Sequence, residues 1–144
     1  MNWSGKILDL VGKITLLEAA QVCQRVVCLL SNDSALVHIA EAVETPVAVI
    51  FGPTVEEFGF FPRLSASRAF SSKVGCRPCS KHGRVPCRYG DQACFHEVST
   101  SDIGDFIRER VERSCSRSLV AKRCQYEDLV CFVRILGLAC SLLK

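Results

Sequence analysis

The sequence lacks any apolar run of the roughly 18 to 20 residues that a bilayer-spanning helix requires. The longest candidate, Leu129 to Leu143, is interrupted by Arg134, and a charge there is costly in hydrocarbon. Near the N-terminus, the apolar stretch Ile7 to Val11 is short and contains Asp9, which does not fit a signal peptide. We therefore expect no membrane span, no export signal and a reducing, cytoplasmic compartment.

A large excess of one charge is also missing. The 144 residues carry 18 Lys plus Arg against 15 Asp plus Glu, a formal net charge of +3. So small a surplus does not supply the dense basic surface of general DNA-coating proteins. With 49% hydrophobic residues, however, the chain can bury enough apolar surface to fold. The length predicts one domain with a small appendage, which we place at residues 1–113 and 114–144, the second being an apolar tail of helical character.

Apolar periodicity predicts an alternating α/β order over residues 7–51. Runs of consecutive apolar residues, typical of buried strands, occur at Val26–Leu30 and Val47–Phe51, and the short stretch Ile7–Leu10, apolar except for Asp9, is interpreted as a further strand. Between them, Thr15 begins one predicted helix, with Glu18 at the capping-box position, and the spacing of Leu36 to Val43 predicts another. This order implies right-handed crossovers and a parallel sheet with flanking helices.

The first candidate binding site is the segment Asn32–His38, where the second predicted strand leads into a helix. Ligands of open parallel sheets bind beyond the carboxyl ends of the strands, and a helix N-terminus offers N–H groups and a positive dipole end to phosphate. Ser34 can add a hydroxyl, and His38 lies about one turn further on. Alternatively, Asp33 only caps the helix and His38 is a half-buried structural imidazole.

The second candidate site is Gly52-Pro53-Thr54, which closes the next predicted strand. Gly52 would let a ligand approach the backbone closely, and Thr54 supplies a hydroxyl. The alternative is an ordinary strand-exit turn, followed by an aromatic cluster at residues 58–61 that packs on its own domain.

Four cysteines lie in a long loop that has no apolar periodicity and therefore no predicted hydrophobic core of its own. Their spacing is Cys76-x2-Cys79-x7-Cys87-x6-Cys94, and a tetrahedral thiolate Zn²⁺ site would close such a loop. His82 and His96 are alternative ligands, and an iron–sulfur cluster would use the same thiolates. Four protein ligands leave no open position, so the metal would be structural. Separate free thiols and two disulfides remain alternatives.

Two segments together carry a family resemblance: VVCLLSNDSALVHIAEAVETPVAVIFGPTVEEFGFFP and CRPCSKHGRVPCRYGDQAC. From about Gly5 to Val111 the chain resembles the C-terminal half of glycosyltransferase family 9, the ADP-heptose:lipopolysaccharide heptosyltransferase family. The resemblance implies a GT-B enzyme of two Rossmann-like domains, with residues 1–113 forming part of the nucleotide-sugar-binding domain and residues 71–98 its Cys-rich loop. It also implies a cytoplasmic enzyme, peripheral to the inner membrane, with no nucleic-acid partner.

The resemblance assigns roles to individual residues. Those matched to the binding of the donor diphosphate are Asp33, Ser34, Ala35, His38, Gly52, Pro53 and Thr54. Ala35 stands where the family most often has Gly. Lys13, in the loop 12–15, corresponds to a stretch beside the nucleobase. The implied donor is ADP-heptose, and the implied acceptor of the complete enzyme is a lipopolysaccharide core.

The resemblance further implies parts that this sequence does not contain, above all an acceptor domain with a carboxylate as general base. Transfer at an anomeric carbon needs acceptor, base and donor held within about 3 to 3.5 Å of productive geometry. We therefore expect no transferase turnover from this chain alone, and an N-terminal half as a separate partner.

A second hypothesis is a non-enzymatic, Cys-rich metal-binding module that contacts RNA or a protein. The basic residues that would make the contact are Arg77, Lys81, Arg84 and Arg88. Positive charge next to a metal-bound loop suits such recognition, but the strands that precede the loop are not needed for it.

Overall fold

The computed structural model describes residues 8–79, 81–83, 85–117 and 131–132, with only the backbone at residues 115–117 and 131–132. The elements, in chain order, are α1 (Leu16–Cys23), β1 (Leu29–Asn32), α2 (Ala35–Ala42), β2 (Val47–Phe51), a 3-10 turn (Glu56–Phe58), β3 (Arg68–Ser71), α3 (Ala93–His96), α4 (Thr100–Arg117) and β4 (Cys131–Phe132). The predicted α/β class is confirmed.

The strands form one parallel sheet in the order β3-β2-β1-β4. β1 pairs with β2 from Leu29↔Val47 to Asn32↔Ile50, and β2 pairs with β3 beginning at Ala48↔Arg68. Because the pairs are parallel, the chain leaves β1, β2 and β3 at the same edge of the sheet. This edge is where a parallel α/β sheet places its ligands.

Helices cover both faces of the sheet, as the apolar strands require. On one face, α1 and α2 pack against alternate side chains of β2, with Val37, Val49 and Phe51 essentially inaccessible to solvent. On the other face, Ala48 of β2 packs with Phe70 and with Phe106 of α4. The core is thus layered as helix, sheet and helix, which is the Rossmann-like arrangement expected from the resemblance.

Local capping explains where the first and last helices begin. Thr15 and Glu18 form the predicted capping box: the Glu18 N–H donates to Thr15 Oγ1 at 3.3 Å, and the Thr15 N–H donates to Glu18 Oε2 at 2.7 Å. Before α4, Ser99 Oγ accepts from the Asp102 N–H at 3.2 Å. The start of α1 agrees with the position predicted from the sequence.

The strand predictions were partly wrong. Residues 8–10 form no strand, and Leu8 is 68% exposed, so this apolar run is not part of the sheet. β1 starts at Leu29 rather than Val26 because the chain turns at the end of α1, where the Val26 N–H donates to the Cys23 carbonyl at 3.3 Å. β3 was missed, because no strand was predicted between Phe51 and the Cys-rich loop at residues 71–98.

The C-terminal tail lies largely outside the described residues, which omit 118–130 and 133–144. Its described part, Cys131–Phe132, pairs with β1 as a short strand rather than forming the helix expected there. α4 continues to Arg117. None of the helices in the described ranges combines the length and apolar character needed to cross a membrane.

Candidate functional site

Asp33 and Thr54 follow the carboxyl ends of the neighbouring strands β1 and β2, and they are in direct contact. Thr54 Oγ1 donates a hydrogen bond of 2.8 Å to Asp33 Oδ2. Thr54 is only 7% exposed, and the Asp33 N–H extends the sheet ladder by donating to the Ile50 carbonyl at 3.2 Å. The carboxylate of Asp33 therefore bridges two strand ends and does not cap α2, as one interpretation of the sequence had it.

The N-terminus of α2 opens at this edge. Ser34 is the N-cap residue, but its side chain makes no capping hydrogen bond. Instead, the hydroxyl groups of Ser34 and Ser31 lie 3.1 Å apart. The first turn begins with Ala35, whose small side chain is exposed. The Val37 N–H donates to the Ser34 carbonyl at 3.1 Å, but no side chain caps the N–H groups of Ala35 and Leu36, which leaves these two to an anion.

His38 lies one turn along α2 and is exposed, not half-buried. Its ring centroid lies 6.1 Å from that of Phe60, with the two planes inclined at 51°. Phe60 is itself 41% exposed. The structure therefore brings the histidine of the first candidate segment next to the aromatic cluster that follows the second.

Gly52 is needed for packing inside the protein. A Cβ atom placed on Gly52 would collide with the ring of Phe95, which belongs to α3. The space beside this glycine is therefore filled by the Phe95 ring and is not open to a ligand. The sequence suggested close approach of a ligand, whereas the structure shows close approach of the Cys-rich segment.

The Cys-rich loop is fastened to the Gly52-Pro53-Thr54 turn by hydrogen bonds. The Cys79 N–H donates to the Pro53 carbonyl at 2.9 Å. Arg77 donates from Nη2 to the Thr54 carbonyl at 2.8 Å and from Nη1 to the Ser72 carbonyl at 2.6 Å. Arg77 thereby connects the ends of β2 and β3. No residue pattern indicates this role, because both acceptors are backbone atoms.

Lys13 stands apart from these groups. Its side chain is 61% exposed and its Nζ lies 3.3 Å from Asp9 Oδ2 and 3.0 Å from the Asp9 carbonyl. Because Thr45 Oγ1 bonds the Cys23 carbonyl at 2.7 Å, α1 ends beside the amino end of β2. Its N-terminus, preceded by Lys13, therefore points toward the carboxyl edge of the sheet. Among the described residues, Lys13 bonds only to Asp9 and not to the two strand-end segments.

The four cysteines of the loop are free thiols. Cys79 Sγ lies 3.6 Å from the Cys76 carbonyl, and Cys87 Sγ lies 3.8 Å from Asp91 Oδ1. Burial raises the pKa of the Cys94 thiol, and the other three thiols raise it further. The four groups are therefore neighbours.

These thiols do not form the predicted metal centre. In residues 8–79, 81–83 and 85–117, no three His, Cys, Asp or Glu side chains are arranged to hold a metal ion. Two of the sulfur atoms instead engage local oxygen acceptors. The loop that seemed to need a metal staple is held by Arg77, by the Cys79 N–H and by Phe95.

Comparison with known proteins identifies the family. Residues 2–89, more than half of the chain, match the model of glycosyltransferase family 9 (heptosyltransferase). Over 51 residues the chain is 37% identical to lipooligosaccharide heptosyltransferase 2 of Haemophilus influenzae, a stretch that covers 35% of this chain and 15% of that protein. No solved structure matches the chain significantly. The chain belongs to glycosyltransferase family 9, a heptosyltransferase family.

Proposed function

We propose that this chain carries part of the donor site of a heptosyltransferase, and that the diphosphate of ADP-heptose binds at the carboxyl edge of β1 and β2. The observation that carries the proposal is the hydrogen bond between Thr54 and Asp33. It unites the two segments that match the donor-binding motifs of the family. They meet beside the uncapped N-terminus of α2, where N–H groups and the helix dipole favour phosphate.

The side chains at this edge would have different roles in binding the donor. Asp33 is negative and would repel phosphate, so its role is to hold the Thr54 turn against the start of α2. The phosphate oxygens would accept from the N–H groups of the first turn of α2 and from the Ser34 hydroxyl. His38, exposed on the same helix, would donate from its imidazole to the distal phosphate or the sugar.

In the complete enzyme, the bound heptose would be transferred to a lipopolysaccharide core acceptor. The relative from Haemophilus influenzae is named a lipooligosaccharide heptosyltransferase, and this chain matches only 15% of its length. Because transfer needs an acceptor and a base placed against the anomeric carbon, we propose that the described residues bind the donor and that they do not turn it over by themselves.

Ligand-observed NMR tests the proposal with ADP-heptose as the probe. We expect saturation transfer from the unaltered chain to the donor, a signal weakened about tenfold by Ser34→Ala or His38→Ala, and no released ADP. His96→Ala is the matched control, since His96 is also exposed but lies on α3. Absence of any transfer signal from the folded chain would contradict the proposal, and sugar transfer by the purified chain would contradict the lack of turnover.

The same preparation tests the alternative of a Cys-rich module that contacts RNA. That alternative counted Arg77 among its basic contact residues, whereas the structure holds this half-buried side chain between the ends of β2 and β3. An RNA titration over increasing salt, showing tight and steeply salt-dependent binding together with no donor binding, would favour the alternative. We expect the opposite pattern.

A further inference from the structure

Arg77 carries a positive charge that no carboxylate balances within the described part of the chain. The ion pairs there join Lys13 to Asp9, Arg108 to Asp105, and Arg110 and Arg113 to Glu109. The guanidinium of Arg77 contacts two neutral carbonyl oxygens instead, and its Nε is buried without a hydrogen-bond partner. A half-buried cation held in this way favours an anion nearby.

The position of this charge is fixed at the carboxyl edge of the sheet. Nη2 lies 2.8 Å from the Thr54 carbonyl, and the hydroxyl of the same residue bonds Asp33. Arg77 is therefore linked through Thr54 and Asp33 to the segment that leads into α2. Its charge also acts on the loop, where it lowers the pKa of the Cys79 and Cys94 thiols against the larger effects of burial and of the neighbouring thiols.

The proposed diphosphate site otherwise lacks a cation among its described residues. Asp33 brings a negative charge, and Glu56 and Glu57 follow the Thr54 turn with two more. Lys13 is paired with Asp9. A diphosphate brings further negative charge, and the helix dipole contributes only about half an elementary charge of opposite sign. An additional positive group is needed for a stable complex.

We propose that Arg77 is a donor-binding residue that supplies this charge to the diphosphate of the nucleotide sugar, an inference that rests on the proposed function. A guanidinium has five N–H donors in a planar fork. Two are bonded to the Thr54 and Ser72 carbonyls, and each Nη retains a second hydrogen for a phosphate oxygen. The two carbonyl bonds hold the fork in place before the ligand arrives, so little freedom is lost on binding.

A purely structural role for Arg77 is the competing interpretation. The side chain would then brace the Thr54 turn, and any change in donor binding would follow from a displaced turn. The two roles differ in their response to salt, because an attraction between Arg77 and phosphate is screened by ions, whereas a displaced turn is not. The two roles also differ in how well lysine can replace arginine, because lysine keeps the positive charge but lacks the planar guanidinium that bonds both carbonyls.

The test is calorimetric titration of the full chain with ADP at several salt concentrations. We expect Arg77→Gln to weaken ADP binding about 10- to 100-fold, the range of a charge-assisted contact, and to flatten the dependence of affinity on salt. Arg77→Lys should keep the salt dependence and lose less affinity than Arg77→Gln. Arg88→Gln, at an exposed position of the same loop, is the matched control and should bind within about twofold of the unaltered chain.

Each other outcome is decisive. ADP binding by Arg77→Gln equal to that of the unaltered chain would overturn the role of Arg77 and leave the proposed function standing. An unchanged salt dependence, or Arg77→Lys as weak as Arg77→Gln, would show a structural role only and would also overturn it. No ADP binding by the unaltered chain would overturn the proposed function itself. Thermal unfolding of each variant checks that it is folded. If Arg77→Gln does not fold, the affinity and salt dependence of Arg77→Lys decide between the two roles.

Discussion

Thr54 and Asp33, 21 residues apart in the chain, are joined by a hydrogen bond of 2.8 Å between Oγ1 and Oδ2. The contact exists because β1 and β2 are adjacent and parallel, so that the residues following each strand emerge at one edge. It makes a single site of two segments that the sequence shows separately. The two candidate segments are therefore coupled through the sheet.

The coupling between Asp33 and Thr54 should be measurable as stability. Hydrogen bonds to a charged group contribute about 1.5 to 3 kcal/mol, so Thr54→Val and Asp33→Asn should each lower the free energy of unfolding. A double-mutant cycle in urea should give a clearly favourable interaction energy. Thr100→Val, at an exposed position, is the control. Strictly additive effects would mean that the bond contributes nothing.

Gly52→Ala should destabilise the protein by about 1 to 3 kcal/mol, the usual cost of overpacking. The reason is that the added Cβ would collide with the Phe95 ring. Phe95→Leu in the same chain should recover part of the loss, although it weakens the background. Denaturant unfolding of both single variants and of the double variant measures this. A harmless Gly52→Ala would show that the Cys-rich segment is not packed on the turn as described.

Substitution of Glu41, in the last turn of α2, should lower the free energy of unfolding more than substitution of an ordinary surface carboxylate does. It accepts from the Arg63 and Leu64 N–H groups and from Ser67 Oγ, each at 2.9 Å, and so fixes the chain leading into β3. Glu41→Ala leaves three donors without their acceptor and should cost about 2 to 3 kcal/mol of stability. Glu57→Ala, at an exposed position, should change stability by less than about 0.5 kcal/mol. Equal effects of the two substitutions would refute this role.

Cys28 should make stability fall at high pH. Burial raises the pKa of its thiol from 9.0 to about 11, against the opposing charge of Arg110. Because the folded pKa lies above the unfolded one, the stabilisation is complete below pH 9 and is lost as the pH rises through 11. The loss attributable to this group is roughly 2 to 3 kcal/mol.

Comparison with Cys28→Ala isolates the effect in unfolding curves recorded between pH 8 and 11. The variant should be less stable at pH 8 because of the cavity, but its stability should fall less steeply with pH. Parallel curves for the two proteins would show that the thiol ionises as readily in the folded state as in the unfolded one.

Sequence reasoning succeeded where the signal was local and periodic. The capping pair Thr15 and Glu18 lies three residues apart and was predicted in detail. β2 was predicted at its observed bounds, because five consecutive apolar residues end at Gly52. β3 was missed because only Phe70 of its four residues is buried. The strand predicted at Ile7–Leu10 was wrong because an exposed apolar residue such as Leu8 cannot be told from a buried one by residue type alone.

The site was predictable only as separate pieces. The family motifs gave Asp33, Ser34, His38 and Thr54 as candidates, but the bond that joins the strand ends depends on the pairing of β1 with β2. Arg77 was named only as a basic contact residue of the alternative module, because its bonds go to backbone carbonyls, which no residue pattern reports. The spacing of the four cysteines predicted a metal centre, yet spacing does not show where sulfur atoms point, and two of them face local oxygen atoms.

The most direct test of the central proposal is calorimetric titration of the folded, unaltered chain with ADP-heptose. We predict saturable binding of one donor per chain, with competition by inorganic pyrophosphate, because the diphosphate supplies the main contacts at the start of α2. A titration without heat, repeated at two temperatures to exclude a vanishing enthalpy, would contradict the assignment of the Asp33 and Thr54 edge as a nucleotide-sugar site.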